Sequence, residues 1–425
     1  MTPDAELERR FLKAQNVLHY VSRPVAFLGM WPVNVTTGDR IRMFLYFTYH
    51  IYRMGMEFID LVMVFGNLGQ VIENLMITGT QVALMMRLTF PRFTTSMRRV
   101  LDGLADLHQR NKFNDTREME IFIKYSEICE RCYKIVLWPA TFTCVSWYLT
   151  PIQTYFIVKI QNGTFVYASP WRMPSFEAME KPEVAILLHL IEIPVTYLTA
   201  CYLLTYCIYF TLVNHIRGQL VIMSYKVKNL KIDGAKNIRE VISPIVEKHI
   251  AILHFSSVAK SLDDCSHFFL LYELLNTTLT LALLLYNIMA NISLSETALI
   301  INFSFYMFNM TVLVFANCYM SQCLENEAAN LFHAFYEHNW NDLPLPYQKA
   351  LIICMLRAQT PLHITAGKFY KFSLSGFTSV RILSLAILNS QFNQIFFPDH
   401  EIIHGLCINV ESNALKSIYD LLYEY

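Results

Sequence analysis

Cys129 and Cys132 are two thiols three residues apart, the first pattern in this 425-residue chain that could do chemistry. At that spacing thiols exchange electrons when they open the helix of a βαβ unit, or supply half of a structural zinc site. Neither context surrounds them: there is no second ligand pair and no alternation of strands with helices. His333, His338 and His363 follow no metal-ligand spacing, so no metal is assigned. Neither a G-x-x-x-x-G-K-[ST] nor a G-x-G-x-x-G phosphate cradle occurs, and there is no H-E-x-x-H or G-x-S-x-G. The sequence nominates no catalytic residue, calls for no cofactor and does not read as an enzyme.

A second set of reactive groups lies inside an apolar window: Arg42, His50, Arg53, Glu57 and Asp60. Charges at membrane depth form an ion or ligand path or pair between helices, and pairing is the simpler expectation; Glu57 and Asp60 should face other helices, not lipid. The membrane itself follows from composition. Hydrophobic residues make up 54% of the chain and charged residues only 16%, against about 25% charged in a soluble domain. The net charge is +0, without the basic footprint that a nucleic-acid partner requires.

About 20 apolar residues cross a bilayer. Seven segments qualify: Ile41–Gly66, Val71–Phe90, Lys134–Phe156, Val184–Val213, His267–Ala290, Leu299–Met320 and Phe372–Phe397. Lys and Arg set the orientation. They crowd the N-terminus (Arg9, Arg10, Lys13, Arg23, Arg40), the second–third loop (Arg92 to Arg131) and the fourth–fifth loop (Arg217 to Lys260). The opposite side carries Lys159, Arg172 and Lys181 before the last span. The expected fold is an all-α polytopic membrane protein with seven transmembrane helices and inverted topology, N-terminus cytosolic and C-terminus extracellular. No signal peptide is expected. Glycosylation sequons at Asn162 and Asn291 fall in loops placed outside; others at Asn34 and Asn114 fall on the cytosolic side. Nine cysteines lie in apolar or cytosolic stretches and are expected as reduced thiols, with Cys407 in the tail. Glu130-Arg131-Cys132-Tyr133 resembles the E/D-R-Y signature of G-protein-coupled receptors, but it precedes the third span, and the N-terminus lies on the wrong side.

Between His215 and Asp264, Ile238, Val241, Ile242 and Ile245 recur at helical spacing. This predicts helical, cytosolic extensions of the flanking spans, interrupted near Pro244.

The carboxy-terminal third is the most specific region. Trp340-Asn-Asp-Leu343-Pro344 is followed by an apolar run ending Met355-Leu-Arg357-Ala-Gln359-Thr-Pro361-Leu362, then Thr365-Ala-Gly367-Lys368-Phe369. These submotifs, in this order, resemble the seventh-helix region of insect odorant receptors. The resemblance implies a subunit that binds small volatile odorants and, with a shared co-receptor, forms a heterotetrameric ligand-gated cation channel for olfaction, no G protein being required. It implies a plasma-membrane location in olfactory sensory neuron dendrites. The fourth–fifth loop is shorter than the co-receptor's, which points to the tuning subunit. The organisation then expected is a cytosolic segment (1–40), six spans with a ligand pocket and long cytosolic loops (41–320), a cytosolic anchor region (321–371), an atypical seventh, pore-side span (372–397) and a tail (398–425). Pocket candidates, taken from the extracellular halves, are Met76, Thr80, Trp147, Thr150, His189, Ile193, Phe305 and Phe308, a mainly apolar set suited to such ligands.

Likeness to the family ends at Ser379, where Val380-Arg381 begins a different sequence. Two readings account for it: a translated intron, since Val-Arg can be encoded GTA-AGA, a splice-donor sequence, or a genuine variant with altered pore chemistry. No pore-lining residues are carried over. A gustatory receptor is the alternative within the same class, and a secondary transporter the alternative outside it.

Overall fold

The computed structural model describes residues 3–160, 169, 171, 173–174, 181–229, 238–290, 297–337, 340–342 and 344–378. The tail (398–425), the seventh span beyond residue 378, and Asn162, Asn291 and Leu343 lie outside the described residues, as do the side chains of Trp147 and Phe305.

The described chain is almost wholly helical: α1 (Pro3–Gln15), α2 (Val17–Phe27), α3 (Thr37–Met63), α4 (Leu68–Phe93), α5 (Thr95–Leu107), α6 (Thr116–Tyr148), α7 (Thr150–Ile160), α8 (Pro182–Ile191), α9 (Ile193–Lys228), α10 (Ile238–Ala290), α11 (Thr297–Tyr336) and α12 (Leu345–Ala358). A two-stranded hairpin, β1 (Thr365–Ala366) and β2 (Tyr370–Lys371), follows. The expected extensions are present as helix, but the interruption expected near Pro244 is not, since α10 continues through it. α9 runs to Lys228, and the next 53-residue helix begins at Ile238, where the apolar periodicity starts.

By length and composition two helices among the described residues can cross a membrane, Glu183–Lys228 (α8 with α9) and His249–Leu285 within α10. Thr116–Ser146 and Thr150–Ile160, bent by 45°, make a third candidate. Glu192 separates α8 from α9, and Pro194 follows within the first turn of α9, where its missing N–H costs nothing.

α9 is the axis of the bundle. It packs along α6 and α11, and α10 packs on α4, α5 and α12. α5 shows why the sequence folds this way: Met97, Val100, Leu101, Leu104 and Leu107 are buried at three- and four-residue steps, while Arg98 and Arg99 stay exposed. α3 begins with a capping box, Thr36 Oγ1 accepting from Asp39 N at 3.2 Å and Asp39 Oδ2 accepting from Thr36 N at 2.8 Å. From Ile41 onward α3 leaves a stripe of exposed apolar residues, Phe44, Leu45, Ile51, Phe58 and Val62.

Glu57 and Asp60 of α3 turn inward, as expected, and so does Arg53, while Arg42 near the start of the helix stays exposed. Arg53, Glu57 and Asp60 are buried. Arg53 bridges Glu57 on its own helix at 3.5 Å and Glu192 at the α8–α9 break at 3.4 Å. Asn74 of α4 donates to Glu57 O at 2.9 Å and Asp60 Oδ2 at 2.8 Å. The nine described cysteines are unbridged thiols, eight of them buried.

Candidate ligand site and hairpin latch

Two constellations stand out, one apolar and one polar. The first joins α4, α10 and α11. Ile72 and Met76 pack with Leu284 and Met307 in a small cluster of their own, flanked by Leu281 and Tyr306. The hydroxyls of Thr80 and Tyr306 lie 3.0 Å apart, and Tyr306 also donates to Met76 O at 3.2 Å. The close approach depends on Gly79: a Cβ there would lie 2.3 Å from Asn276 Oδ1 of α10. Tyr272 uses the opening to donate to Gly79 O at 3.2 Å.

The candidates from the sequence distribute unevenly around this cluster. Met76 and Thr80 are in it; Phe308 is half-buried two residues on from Tyr306, on roughly the opposite side of α11. His189 is elsewhere, its ring stacked on Tyr148 at 4.2 Å while Tyr148 donates to His189 O at 2.9 Å. Thr150 and Ile193 are exposed, on the outside of the helices that carry them. Sequence reasoning passed over Tyr306 for its neighbours Phe305 and Phe308; the signal was its hydroxyl, a polar atom in an apolar run.

Further along α4, Arg87 is buried against Glu273 of α10, with Nε and Nη2 both donating to the carboxylate, the second at 2.7 Å. Its guanidinium also lies 3.5 Å from the centre of the Tyr206 ring. Tyr202 and Tyr206 share a hydrogen bond at 3.1 Å. A cavity of about 40 Å3 beside them is lined by Arg87, Thr205, Tyr209, Ser266 and Phe269. That is room for a few waters, well below the several hundred Å3 of a small-molecule pocket.

The second constellation is the Thr365-Ala-Gly-Lys-Phe369 string. It folds as the turn of the hairpin, with Thr365 opposite Lys371 and Ala366 opposite Tyr370. Gly367 and Lys368 both have positive φ, +61° and +69°, as a tight twisted turn requires. A Cβ at Gly367 would lie 2.6 Å from the Phe369 ring and 2.8 Å from Leu271, so glycine is needed for space as well as for conformation.

Asp263 of α10 holds this turn. Its carboxylate accepts from Thr365 N at 2.7 Å, from Thr365 Oγ1 at 2.8 Å and from Lys368 Nζ at 2.7 Å. Lys368 also reaches Asp264 at 2.5 Å, and Gly367 N donates to His267 O at 2.9 Å. Hydrogen bonds from Lys368 to the two aspartates outweigh partial burial and raise its pKa above the ordinary lysine value. Nearby, α12 buries Leu351, Cys354 and Met355 and exposes Ile352, Ile353 and Leu356. Arg357 at its end donates to Ser256 of α10 at 3.0 Å. Trp340 is half-buried against the main core, Pro344 precedes α12, Gln359 caps its end, and Pro361 and Phe369 are exposed.

The sequence model of the 7tm odorant receptor family matches residues 67–385, three quarters of the chain. Odorant receptor 85f of Drosophila melanogaster is 26% identical over 152 residues, 35% of this chain and 37% of that protein. Odorant receptor 10 of Aedes albopictus is 26% identical over 227 residues, 51% of this chain and 58% of that protein. The aligned regions thus span less than two thirds of either relative. Among solved structures, the olfactory receptor OR5 of Machilis hrabei superposes with a TM-score of 0.65 at 15% identity, covering 89% of this chain and 99% of the other. The same receptor in complex with eugenol gives 0.70 at 16%, covering 89% and 98%.

Proposed function

The chain belongs to the insect odorant receptor family, and from that premise we propose that it is an odorant-binding tuning subunit of a ligand-gated cation channel assembled with a co-receptor. The observation that carries the ligand site is the Thr80–Tyr306 hydroxyl pair set on the Met76–Leu284–Met307 cluster. Apolar walls with one polar handle suit a volatile of low polarity. The Machilis receptor is known in complex with eugenol, which motivates a phenolic volatile as the first ligand class. Such a ligand would exchange its own hydroxyl for one partner of the pair and part α4 from α11.

Seven spans with a cytosolic N-terminus remain the preferred topology: α3, α4, α6, the α8–α9 unit, α10 and α11 supply six, and Phe372–Phe397 the seventh. In this reading the hairpin and α12 form the cytosolic anchor region, and the outward face of α12, with Ile352, Ile353 and Leu356 exposed, is the contact with neighbouring subunits. The location is the dendritic plasma membrane of olfactory sensory neurons. Asn162 and Asn291 are the proposed glycosylation sites.

The test is current recording from cells expressing the chain with and without an insect odorant co-receptor, under a panel of volatiles that includes eugenol. Cation current only with both subunits is expected. Silence with the protein at the cell surface, both for the native chain and for one given a family-like ending after Ser379, would overturn the reading.

A further inference from the structure

Several cationic side chains of the described helices have a carboxylate partner: Arg10 with Glu127, Lys13 with Glu130, Arg217 with Glu327, Lys226 with Glu118. At one corner three arginines come together without one. Arg40 in the first turn of α3, Arg92 at the end of α4 and Arg98 at the start of α5 have no carboxylate within 4 Å among the described residues. The nearby acid is Asp39, which is already committed to capping α3 and to pairing with Arg42.

The elements do converge there. Gly29, ahead of α3, lies so close to Asp39 that a Cβ would fall 2.0 Å from its carbonyl oxygen. Met30 and Trp31 share a cavity wall with Pro91 and Met97, on either side of the α4–α5 elbow. Phe47 of α3 and Phe93 of α4 approach at 6.3 Å between ring centres. Arg92 is 8% exposed and its Nε has no partner. Burial first, then Arg98 and Arg40, oppose its charge and lower its pKa below the ordinary arginine value, with Asp39 acting the other way.

The surroundings indicate which anion these arginines would take. Exposed Ile41, Phe44 and Phe93 border the arginines on one side, so the corner lies where a helix passes from hydrocarbon to headgroups. We propose that Arg40, Arg92 and Arg98 form a binding site for the phosphate-bearing headgroup of an anionic phospholipid, with its acyl chains along Phe44 and Phe93. Guanidinium groups engage phosphate by paired, charge-assisted hydrogen bonds. In the proposed topology this is the cytosolic leaflet, where anionic lipid is concentrated. The site rests on the membrane reading for that choice of leaflet, and not on odorant gating.

The experiment is lipid retention by the full-length chain in detergent micelles, read by native mass spectrometry after titration with phosphatidylserine, phosphatidylinositol 4,5-bisphosphate or phosphatidylcholine. The native chain should retain the anionic lipids in preference. Each arginine removed should weaken that retention about fivefold, the ~1 kcal/mol of one basic residue at an anionic surface. Arg92→Gln with Arg98→Gln should therefore lose it about 25-fold, while Arg117→Gln, at a paired exposed arginine, should not. Arg98→Gln alone changes an exposed residue and reads the site even where the Arg92 variant misfolds. Equal retention of phosphatidylcholine by the native chain, unchanged retention in the double variant, or displacement by inorganic phosphate at concentrations comparable to the lipid would overturn the proposal. Because micelles have no sidedness, a wrong topology would leave these results intact; it would show separately, as an N-terminal tag accessible on unpermeabilised cells.

Discussion

The hairpin latch and the Met76–Tyr306 cluster both join helices to α10, by opposite means. At the latch one carboxylate, Asp263, receives three hydrogen bonds from the turn it holds, and two successive residues take positive φ. Such a joint has one geometry and fails if any member is lost. At the cluster, three helices meet through methionine, leucine and isoleucine side chains with a single hydroxyl pair. Methionine is flexible, and apolar contacts tolerate rearrangement. The comparison suggests that one place fixes the structure and the other yields to a ligand.

The strongest way to break it is Asp263→Ala. Losing a largely buried acceptor strands Thr365 N and Oγ1 and leaves Lys368 with Asp264 alone, and about 3 kcal/mol of stability should go with it; thermal unfolding of the purified chain would read this as a large fall in midpoint. An unchanged midpoint would mean that the latch does not hold α10. Gly367→Ala should cost about 1–3 kcal/mol, through left-handed backbone strain and the clash with Phe369 and Leu271.

Acidification probes the packing between α5 and α9. His108 is buried 4.6 Å, centre to centre, from the His215 ring. Burial, and then His215, push its pKa well below the ordinary value. Above pH about 6.5 both folded and unfolded chains hold this imidazole neutral, so it imposes no penalty. As pH falls further, the unfolded chain takes a proton that the folded chain refuses, and stability should decline. A pH series of unfolding midpoints would show this slope, and His108→Asn should flatten it.

The smallest effect sharpens the other side. Tyr306→Phe keeps the ring and removes one hydroxyl, worth about 0.5–1.5 kcal/mol. The half-maximal concentration of a phenolic odorant should change about 3- to 10-fold, with the unfolding midpoint falling much less than for Asp263→Ala. If the midpoint dropped as far as for Asp263→Ala, the pair would be a structural joint after all.

What the sequence disclosed follows the same contrast. Thr365 to Phe369 was legible as a family string but not as a hairpin turn; the local mark of the turn is Gly367, the residue type suited to positive φ. Its partners Asp263 and Asp264 were not legible, since they lie about a hundred residues upstream and nothing local marks an aspartate as someone else's acceptor. Arg87 and Glu273 were a missed opportunity: each is a charge within an apolar segment, of opposite sign, and apolar surroundings favour their meeting. Inward-facing Glu57 and Asp60 were read correctly by that logic. In the apolar cluster, pattern identifies the helices but not which neighbours they choose. Thr150 and Ile193 show this, having the right composition and the wrong face.

α10 runs without a break from Ile238 to Ala290. Leu284, in the apolar cluster, and Asp263, at the latch, therefore sit on one rod roughly 30 Å apart at 1.5 Å per residue. Over that length a tilt of a few degrees becomes a displacement of an ångström or more at the far end. A wedge between α4 and α11 that tilted this helix would therefore be felt at the hairpin.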